Sequence, residues 1–260
     1  MNIFTTFGYE SVSKEKLKEI GPAKVKQAIQ NAFDKGVGSV DLSHIYIEKL
    51  PPEFLELRNL VWITPAQKIT SHLELFMSRN HLDHFPREIL DLTNLTVLIF
   101  KENKATVLPD EIGNLVNLRE LSVTNNRLRY LPQTLFDLKK LDLFLGHPNP
   151  FIGLSQGKNI SVIKNSQALS LRELSLRAIR KHDNKNPNIP SKFKLQLEVM
   201  AGHHCPVCNT GFCVSAADVY LWLNFPPSGQ YFPFQFRFCS DFCLNSSIWR
   251  ETLRLLSRET

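Results

Sequence analysis

Leucines and other apolar residues recur through the first half of the chain with a period of 23 residues. Read from His72, the pattern is L-x-x-L-x-L-x-x-N-x-L-x-x-L-P-x-x-I-x-x-L, and successive copies continue to Leu138. Its asparagine recurs at Asn80, Asn103, Asn126 and Asn149. A fixed period of this size predicts a solenoid of stacked coils, in which each coil needs its neighbours to bury its apolar face.

Each position of the repeat has a physical role. Alternating apolar residues such as Leu121 and Val123 predict a short strand with one side facing the core. The asparagine amide can bond backbone groups that no sheet partner reaches. A proline, as at Pro109 or Pro132, has no amide hydrogen to lose and suits the start of a helical turn. The pattern resembles the leucine-rich repeat family over about residues 37–151, which implies an α/β solenoid with a curved parallel sheet.

The first copies of the repeat are irregular. Residues 37–59 fit the pattern with isoleucine in place of the asparagine, and residues 60–71 hold only a truncated copy that predicts an irregular coil. Ahead of the array, residues 14–35 predict one or two helices broken at Gly21 and Pro22. These would cover the exposed end of the stack as an N-terminal helical cap. The apolar residues on one helical face are Val25, Ile29 and Phe33.

In such a solenoid, the residues beside the inward-facing strand positions lie on the concave side and face outward. Several of them are apolar, and a contiguous exposed apolar patch often marks a partner site. We therefore expect a protein target to bind there. The alternative is that the truncated coil turns Trp62 into the core. The expected partner-binding residues are Trp62, Thr64, Glu74, Phe76, Arg79, Val97, Ile99, Lys101, Glu120, Ser122 and Arg127.

Composition is that of a folded chain with an uneven charge distribution. The chain has 260 residues, of which 43% are hydrophobic and 18 are Phe, enough for one or two packed cores. Residues 1–156 are balanced in charge, so residues 157–260 carry the net charge of +6. Neither a secretory signal nor a membrane-spanning stretch is recognisable in the sequence. We expect a soluble intracellular protein, cytoplasmic or nuclear.

All five cysteines lie between Cys205 and Cys243. Thiols stay reduced inside cells, so the cluster predicts a metal before disulfides. One C-x-x-C pair and one pair with a three-residue spacer suit a tetrahedral structural Zn²⁺ site. The simplest ligand set is Cys205, Cys208, Cys239 and Cys243. Other residues that could replace a ligand are Cys213, His203 and His204. The plain alternative is four reduced cysteines buried as small apolar side chains.

Between the cysteine pairs, residues 219–225 and 231–238 predict two strands joined by a Pro-Pro-Ser-Gly turn. Residues 245–258 predict a helix, so we expect the tail to form a small α+β module. Zinc would join the strand ends and replace the core that so short a segment lacks. The expected domains are a helical cap over 1–36, a solenoid over 37–156, a helical connector over 157–198 and a zinc module over 199–260.

The connector contains two short motifs. Leu171, Ser175 and Ile179 share one helical face, with a small residue between two aliphatic ones. This resembles the elongin C-binding box, although the middle residue there is most often cysteine. The second motif resembles the cullin-contacting box of von Hippel–Lindau-type receptors. Its residues are Ile189, Pro190, Phe193 and Leu197. The alternative is that two ordinary helices pack the end of the solenoid against the zinc module.

This order of parts resembles certain animal leucine-rich repeat proteins, some of which are substrate receptors of cullin–elongin ubiquitin ligases. The resemblance implies a non-catalytic protein-interaction module with elongin C and a cullin as partners. The alternative is a leucine-rich repeat scaffold or adaptor in intracellular signalling with a structural zinc tail. A third hypothesis is that the basic tail binds nucleic acid. Against it, the charges of the tail are dispersed, and its phenylalanines suit a hydrophobic core. Nucleotide-binding, metalloprotease and serine-hydrolase motifs are missing from the sequence, so we expect no enzyme and no catalytic residue.

Overall fold

A computed structural model of the chain describes residues 14–47, 49–63, 69–80, 82–153, 160–164, 173–178, 203–212 and 214–256. The chain forms two compact units. The first unit comprises residues 1–106, 115–127 and 140–149, and the second comprises residues 107–114, 128–139 and 150–260. The second unit therefore includes residues 107–114, 128–139 and 150–156, which the sequence prediction assigns to the solenoid.

The secondary structure alternates short strands with short helical segments. The strands are β1 (Ser39–Asp41), β2 (Trp62–Ile63), β3 (Ile69–Thr70), β4 (Leu73–Phe76), β5 (Leu95–Ile99), β6 (Glu120–Ser122), β7 (Leu131–Pro132), β8 (Leu143–Leu145), β9 (Ile160–Lys164), β10 (Ala217–Phe225) and β11 (Gln230–Phe238). The α-helices are α1 (Lys14–Lys35), α2 (Asp241–Leu244) and α3 (Ser247–Leu256), and residues 173–178 are also helical. The 3-10 segments are Pro52–Asn59, Arg87–Asp91, Asp110–Asn114 and Gln133–Asp137. No helix among the described residues is long and apolar enough to cross a lipid bilayer.

The first unit is built on a five-stranded parallel sheet with the order β1-β4-β5-β6-β8. Its register follows the sequence period, and one inward row runs across the whole sheet. That row consists of Val40, Leu75, Leu98, Leu121 and Phe144. All five side chains are almost completely buried. Burial of such a side chain contributes about 1.5–3 kcal/mol. The predicted parallel sheet with short helical segments is confirmed.

Buried asparagines join successive coils of the first unit. The Oδ1 of Asn103 accepts hydrogen bonds from the backbone N–H groups of Asn80 and Leu82, both at 3.1 Å. Its Nδ2 donates to the Met77 carbonyl oxygen at 2.9 Å. The same arrangement recurs one coil later at Asn126. Each amide thus satisfies backbone groups where the chain leaves the sheet, as the repeat pattern predicts.

The truncated repeat does not add a strand to the parallel sheet. β1 pairs directly with β4, while β2 and β3 form an antiparallel ribbon with Trp62 opposite Thr70. A coil this short lacks the residues for both a sheet strand and a returning segment. Trp62 therefore lies outside the parallel sheet, and its place on the concave face stays a prediction. Thr64, predicted for the same face, lies outside the described residues.

Helix α1 is continuous through Gly21 and Pro22, whereas the sequence predicts a break there. Its buried residues include Val25, Ile29 and Ala32. Phe33, expected on the buried face, is 38% exposed. The helix contacts β1, and we attribute its continuity to this packing, which outweighs the hydrogen bond that Pro22 removes. A Cβ on Gly21 would lie 3.3 Å from the Ile45 carbonyl oxygen, so glycine allows a close approach there.

The second unit contains a four-stranded sheet with the order β7-β11-β10-β9. β10 and β11 are antiparallel throughout their length, and their bounds lie close to the strands predicted over residues 219–225 and 231–238. The connecting turn places Gly229 at a φ of 62°, a conformation that glycine adopts without strain. β9 pairs antiparallel with β10, and β7 pairs parallel with β11.

Aromatic side chains form the core of the second unit. Phe232, Phe234, Phe236 and Phe238 of β11 are all buried. Trp249 of α3 is also buried, and its ring centroid lies 5.3 Å from that of Phe236 and 4.8 Å from that of Phe238. The alternating phenylalanines of the tail are therefore core residues, and this helix packs on the strand that ends at the second cysteine pair.

Candidate functional site

A tight turn brings Cys205 and Cys208 together. The N–H of Asn209 donates to the Cys205 carbonyl oxygen at 2.9 Å, and Asn209 takes a φ of 56°. The Cys205 N–H donates to the Thr210 carbonyl oxygen at 3.1 Å. These bonds close the loop around the C-x-x-C motif and hold its two sulfur atoms within 4.8 Å of each other.

The second cysteine pair is positioned by the start of a helix. Cys239 directly follows β11, and Cys243 lies in α2. The hydroxyl oxygen of Ser240, the N-cap residue of α2, accepts a hydrogen bond from the Cys243 N–H at 3.3 Å. Residues four apart lie on the same side of a helical turn. The three-residue spacer therefore brings the two sulfur atoms to 3.7 Å from each other.

The four sulfur atoms all lie within 4.8 Å of one another. The Cys208 and Cys239 sulfur atoms are 3.4 Å apart. A tetrahedral zinc ion with Zn–S bonds of about 2.3 Å separates its sulfur ligands by about 3.8 Å. Cys205, Cys239 and Cys243 are buried, while Cys208 is exposed. Donor type, number and spacing therefore fit a metal ion bound by protein ligands alone.

The other predicted ligands have different surroundings. His203 Nε2 lies 3.4 Å from the Asp110 carboxylate, and the His204 carbonyl oxygen accepts a hydrogen bond from the Gln133 amide at 3.2 Å. Cys213 lies outside the described residues. In the part of the chain that the structure describes, the close group of possible metal ligands consists of the four paired cysteines.

Charge is distributed unevenly within the sulfur cluster. A hydrogen bond from the Cys239 thiol lowers the pKa of Cys205 to about 4. The same interaction, together with burial, raises the pKa of Cys239 above its ordinary value, and burial raises the pKa of Cys243. One thiolate is thus stabilised by protonated neighbours. A divalent cation would supply the positive charge that allows all four sulfur atoms to ionise.

The helical residues 173–178 contact this cluster. Arg177 Nη2 donates to the Cys239 carbonyl oxygen at 3.0 Å, and Arg177 Nε pairs with the Glu173 carboxylate at 2.9 Å. Glu173 and Leu176 are each 2% exposed, whereas Ser175 is exposed. One side of this helical turn is therefore buried beside the second cysteine pair, and the other side is accessible.

The outward side of the five-stranded sheet is the second candidate site. Each strand contributes two positions, and the positions form two rows in register across the sheet. We call this set of residues the open face. It consists of Ser39, Asp41, Glu74, Phe76, Val97, Ile99, Glu120, Ser122, Leu143 and Leu145.

Most of the predicted partner-binding residues of the sheet lie on the open face and are accessible. Those that are exposed or half-buried are Glu74, Phe76, Val97, Ile99 and Glu120. Ser122 departs from the expectation, because it is only 4% exposed. It lies in register between Ile99 and Leu145, and larger side chains at paired positions of neighbouring strands lie close enough to cover so small a residue.

The predicted basic residues border the open face. Arg79, Lys101 and Arg127 follow the strands and are exposed. Arg79 pairs with Glu102 at 2.5 Å, and both residues have a positive φ at equivalent turns of successive coils. Interaction between these two side chains lowers the pKa of Glu102, so the pair is already neutralised within the solenoid.

The sequence prediction omitted four residues of the open face, namely Ser39, Asp41, Leu143 and Leu145. Leu143 and Leu145 are 40% and 47% exposed. They lie in a nearly continuous apolar run, so the local sequence pattern does not indicate which of its side chains face outward. The repeat period contains the missing signal, because these residues pair in register with Glu120 and Ser122 of the preceding coil.

The docking motifs fall mostly outside the described residues. The motif residues that lie outside are Leu171, Ile179, Ile189, Pro190, Phe193 and Leu197. Ser175 is described, and it is helical and exposed. The use of these motifs for docking stays a prediction.

Comparison with known proteins finds a partial likeness to a solved structure. No family model matches the chain, and no curated protein matches it. A solved structure of a leucine-rich repeat protein from Leptospira interrogans is 29% identical, with a TM-score of 0.33. The match covers 48% of this chain and only 36% of that one. The stacked coils resemble those of leucine-rich repeat proteins, and the chain also contains a four-cysteine cluster.

Proposed function

We propose that this chain is a non-catalytic recognition subunit that binds a protein target on its open face. The observation that carries this proposal is the set of large apolar side chains at accessible positions there. They are Phe76, Val97, Ile99, Leu143 and Leu145. Removing apolar surface from water is favourable by about 25 cal/mol per Å², so a partner that covers these side chains gains binding energy.

In the finer form of this proposal, the chain is the substrate-recognition subunit of a cullin–elongin ubiquitin ligase. Residues 171–179 bind elongin C, and residues 189–197 contact a cullin. Ser175, the middle residue of the first motif, is exposed on a helical turn whose other side is buried, which supports this role. The ligase would act on the target by proximity, so no residue of this chain takes a chemical role.

The receptor role is tested by a tagged pull-down of the full chain from cells, read by mass spectrometry. Leu171→Asp should abolish capture of elongin C, because a carboxylate is costly in an apolar groove. Val116→Asp is the matched control, since Val116 is exposed and lies outside residues 171–179. Circular dichroism checks that both variants fold. Equal elongin C capture by Leu171→Asp and the parent contradicts the receptor role.

A scaffold or signalling adaptor is the second candidate function. It is favoured by the open face and the cysteine cluster, because none of the residues that form them is a residue of the docking motifs. In that case the pull-down yields a target of the open face but neither elongin C nor a cullin.

The cysteine cluster in this proposal holds a structural Zn²⁺ ion, which the sulfur spacing and burial support. Metal analysis of the purified chain should find about one zinc ion per chain, as a tetrahedral four-cysteine site requires. Cys208→Ser should lose the metal because it removes a ligand. Cys213→Ser is the control and should retain it. A zinc-free parent, or full zinc content in Cys208→Ser, contradicts this assignment.

A further inference from the structure

The open face is acidic, although the whole chain carries a net charge of +6. It includes the carboxylates of Asp41, Glu74 and Glu120 and no lysine or arginine. Among the described residues, neither Glu74 nor Glu120 has an ion-pair partner, whereas Arg79 pairs with Glu102 and Arg119 pairs with Asp142. Carboxylates without a partner beside apolar side chains favour a cationic ligand group.

The acidic and apolar side chains have a regular spacing. Glu74 and Glu120 lie in one row, two strands apart, with Val97 between them. Neighbouring strands are about 4.8 Å apart, so the two carboxylates are about 10 Å apart along the row. The second row presents Phe76, Ile99 and Leu145.

An α-helix laid across the strands matches this spacing. Its pitch of about 5.4 Å places about one turn on each strand, and its residues i and i+7 are about 10.5 Å apart. An extended peptide would leave its backbone N–H and C=O groups facing mainly apolar side chains. These groups would lose hydrogen bonds to water without replacement, which weakens binding. A helix satisfies these groups internally.

We propose that the open face binds a basic amphipathic helix of the target protein. Its apolar stripe covers Phe76, Ile99 and Leu145, and Lys or Arg residues at i and i+7 pair with Glu74 and Glu120. This inference rests on the proposed function, because it states the chemistry of the partner that the open face recognises.

The probes for this inference are two synthetic labelled helices of about 16 residues, long enough to cross the five strands. Both carry the same leucine stripe, and one has Lys where the other has Glu at the flanking i and i+7 positions. Fluorescence anisotropy measures their binding to the full chain. The Lys helix should bind about tenfold more tightly than the Glu helix, since two pairs form and two repulsions are avoided. Added salt should reduce this preference.

Substitutions test whether the preference for the Lys helix arises from residues of the open face. The double variant Glu74→Lys with Glu120→Lys should reverse it, while Glu88→Lys, an exposed acid on a 3-10 segment, should leave it unchanged. Leu145→Asp should weaken binding of the Lys helix, and the control Val116→Asp, exposed but off the open face, should not. Equal binding of the two helices by the parent overturns the inference. An unchanged preference in the double variant also overturns it.

Elongin C capture separates this inference from the receptor role. Residues 74 and 120 belong to the first unit, whereas residues 171–179 belong to the second, so the double variant should still capture elongin C. Elongin C capture without a charge preference overturns the helix inference and leaves the receptor role standing. A charge preference without elongin C capture supports the helix inference and contradicts the receptor role.

Discussion

At the scale of single residues, the buried asparagines show how one side chain can serve several backbone groups. The amide of Asn103 bonds the N–H groups of Asn80 and Leu82 and the carbonyl group of Met77. The asparagine amide carries these functions on two separate atoms, an oxygen that accepts from two N–H groups and a nitrogen that donates to a carbonyl group. The repeat therefore specifies asparagine for a physical reason that is readable in the sequence.

Asn103→Ala should lower the free energy of unfolding by about 3 kcal/mol. It leaves two N–H groups and one carbonyl group buried without partners, and each such group costs about 1–3 kcal/mol. Urea denaturation followed by circular dichroism measures the loss. Asn59→Ala is the control, because Asn59 is exposed and should change stability by less than about 0.5 kcal/mol. Equal effects of the two substitutions would refute this role of the asparagine.

Residue placement was only partly predictable. The exposure of Glu74 and Glu120 follows from strand alternation, which is a local property of the sequence. The burial of Ser122 does not, because we attribute it to its neighbours in the paired coils, Ile99 and Leu145, which are distant in sequence.

At the scale of elements, helix α3 packs its Trp249 on the end of β11. The ring contacts those of Phe236 and Phe238, in the strand that leads directly to Cys239. α3 therefore supports the strand that presents one half of the cysteine cluster.

Trp249→Ala should destabilise this packing by about 3–5 kcal/mol, the usual cost of emptying a buried aromatic site. Hydrogen exchange of the β11 amides should accelerate as a result, and mass spectrometry of the corresponding peptides measures it. Ile248→Ala changes the preceding residue of the same helix, which is exposed, and should leave exchange in β11 unchanged. Parent-like exchange in Trp249→Ala would show that the contact contributes little.

Elements governed by the repeat period were predictable, whereas those governed by distant contacts were not. The strands of the regular copies follow from leucine spacing alone. The ribbon of β2 and β3 and the unbroken helix α1 depend on pairing and packing that no local pattern encodes. The cysteine pairs were predictable for the same local reason, but the contact of Arg177 with Cys239 joins residues 62 positions apart and left no signal in the sequence.

At the scale of the whole molecule, the second unit links the cysteine cluster to the helical residues 173–178. The link is the hydrogen bond from Arg177 to the Cys239 carbonyl oxygen, supported by the buried Glu173. The proposed metal would hold Cys239 in place and, through Arg177, orient the helical turn that carries Ser175.

Removal of zinc should therefore loosen both regions. A strong chelator is expected to accelerate hydrogen exchange in residues 203–212, 239–243 and 173–178 and to reduce elongin C capture. Re-added zinc should restore both. The β4–β6 strands, in the unit without cysteines, serve as the internal reference. Unchanged exchange in residues 173–178 after complete metal removal would contradict this coupling.

Acid should release the metal. Zinc binds thiolates, so protons compete with the metal for the four sulfur atoms as the pH falls. Metal retention measured across a pH series should therefore decrease toward acid pH. Retention that does not depend on pH would argue against thiolate ligands.

The most direct test of the account is native mass spectrometry of the purified full chain mixed with elongin C. The account predicts a species that contains the chain, elongin C and a zinc ion, and it predicts that Leu171→Asp retains zinc but loses elongin C. A parent chain observed only without zinc and without elongin C would contradict the central claim, which is that a zinc-stabilised tail connects a target-binding solenoid to a ligase.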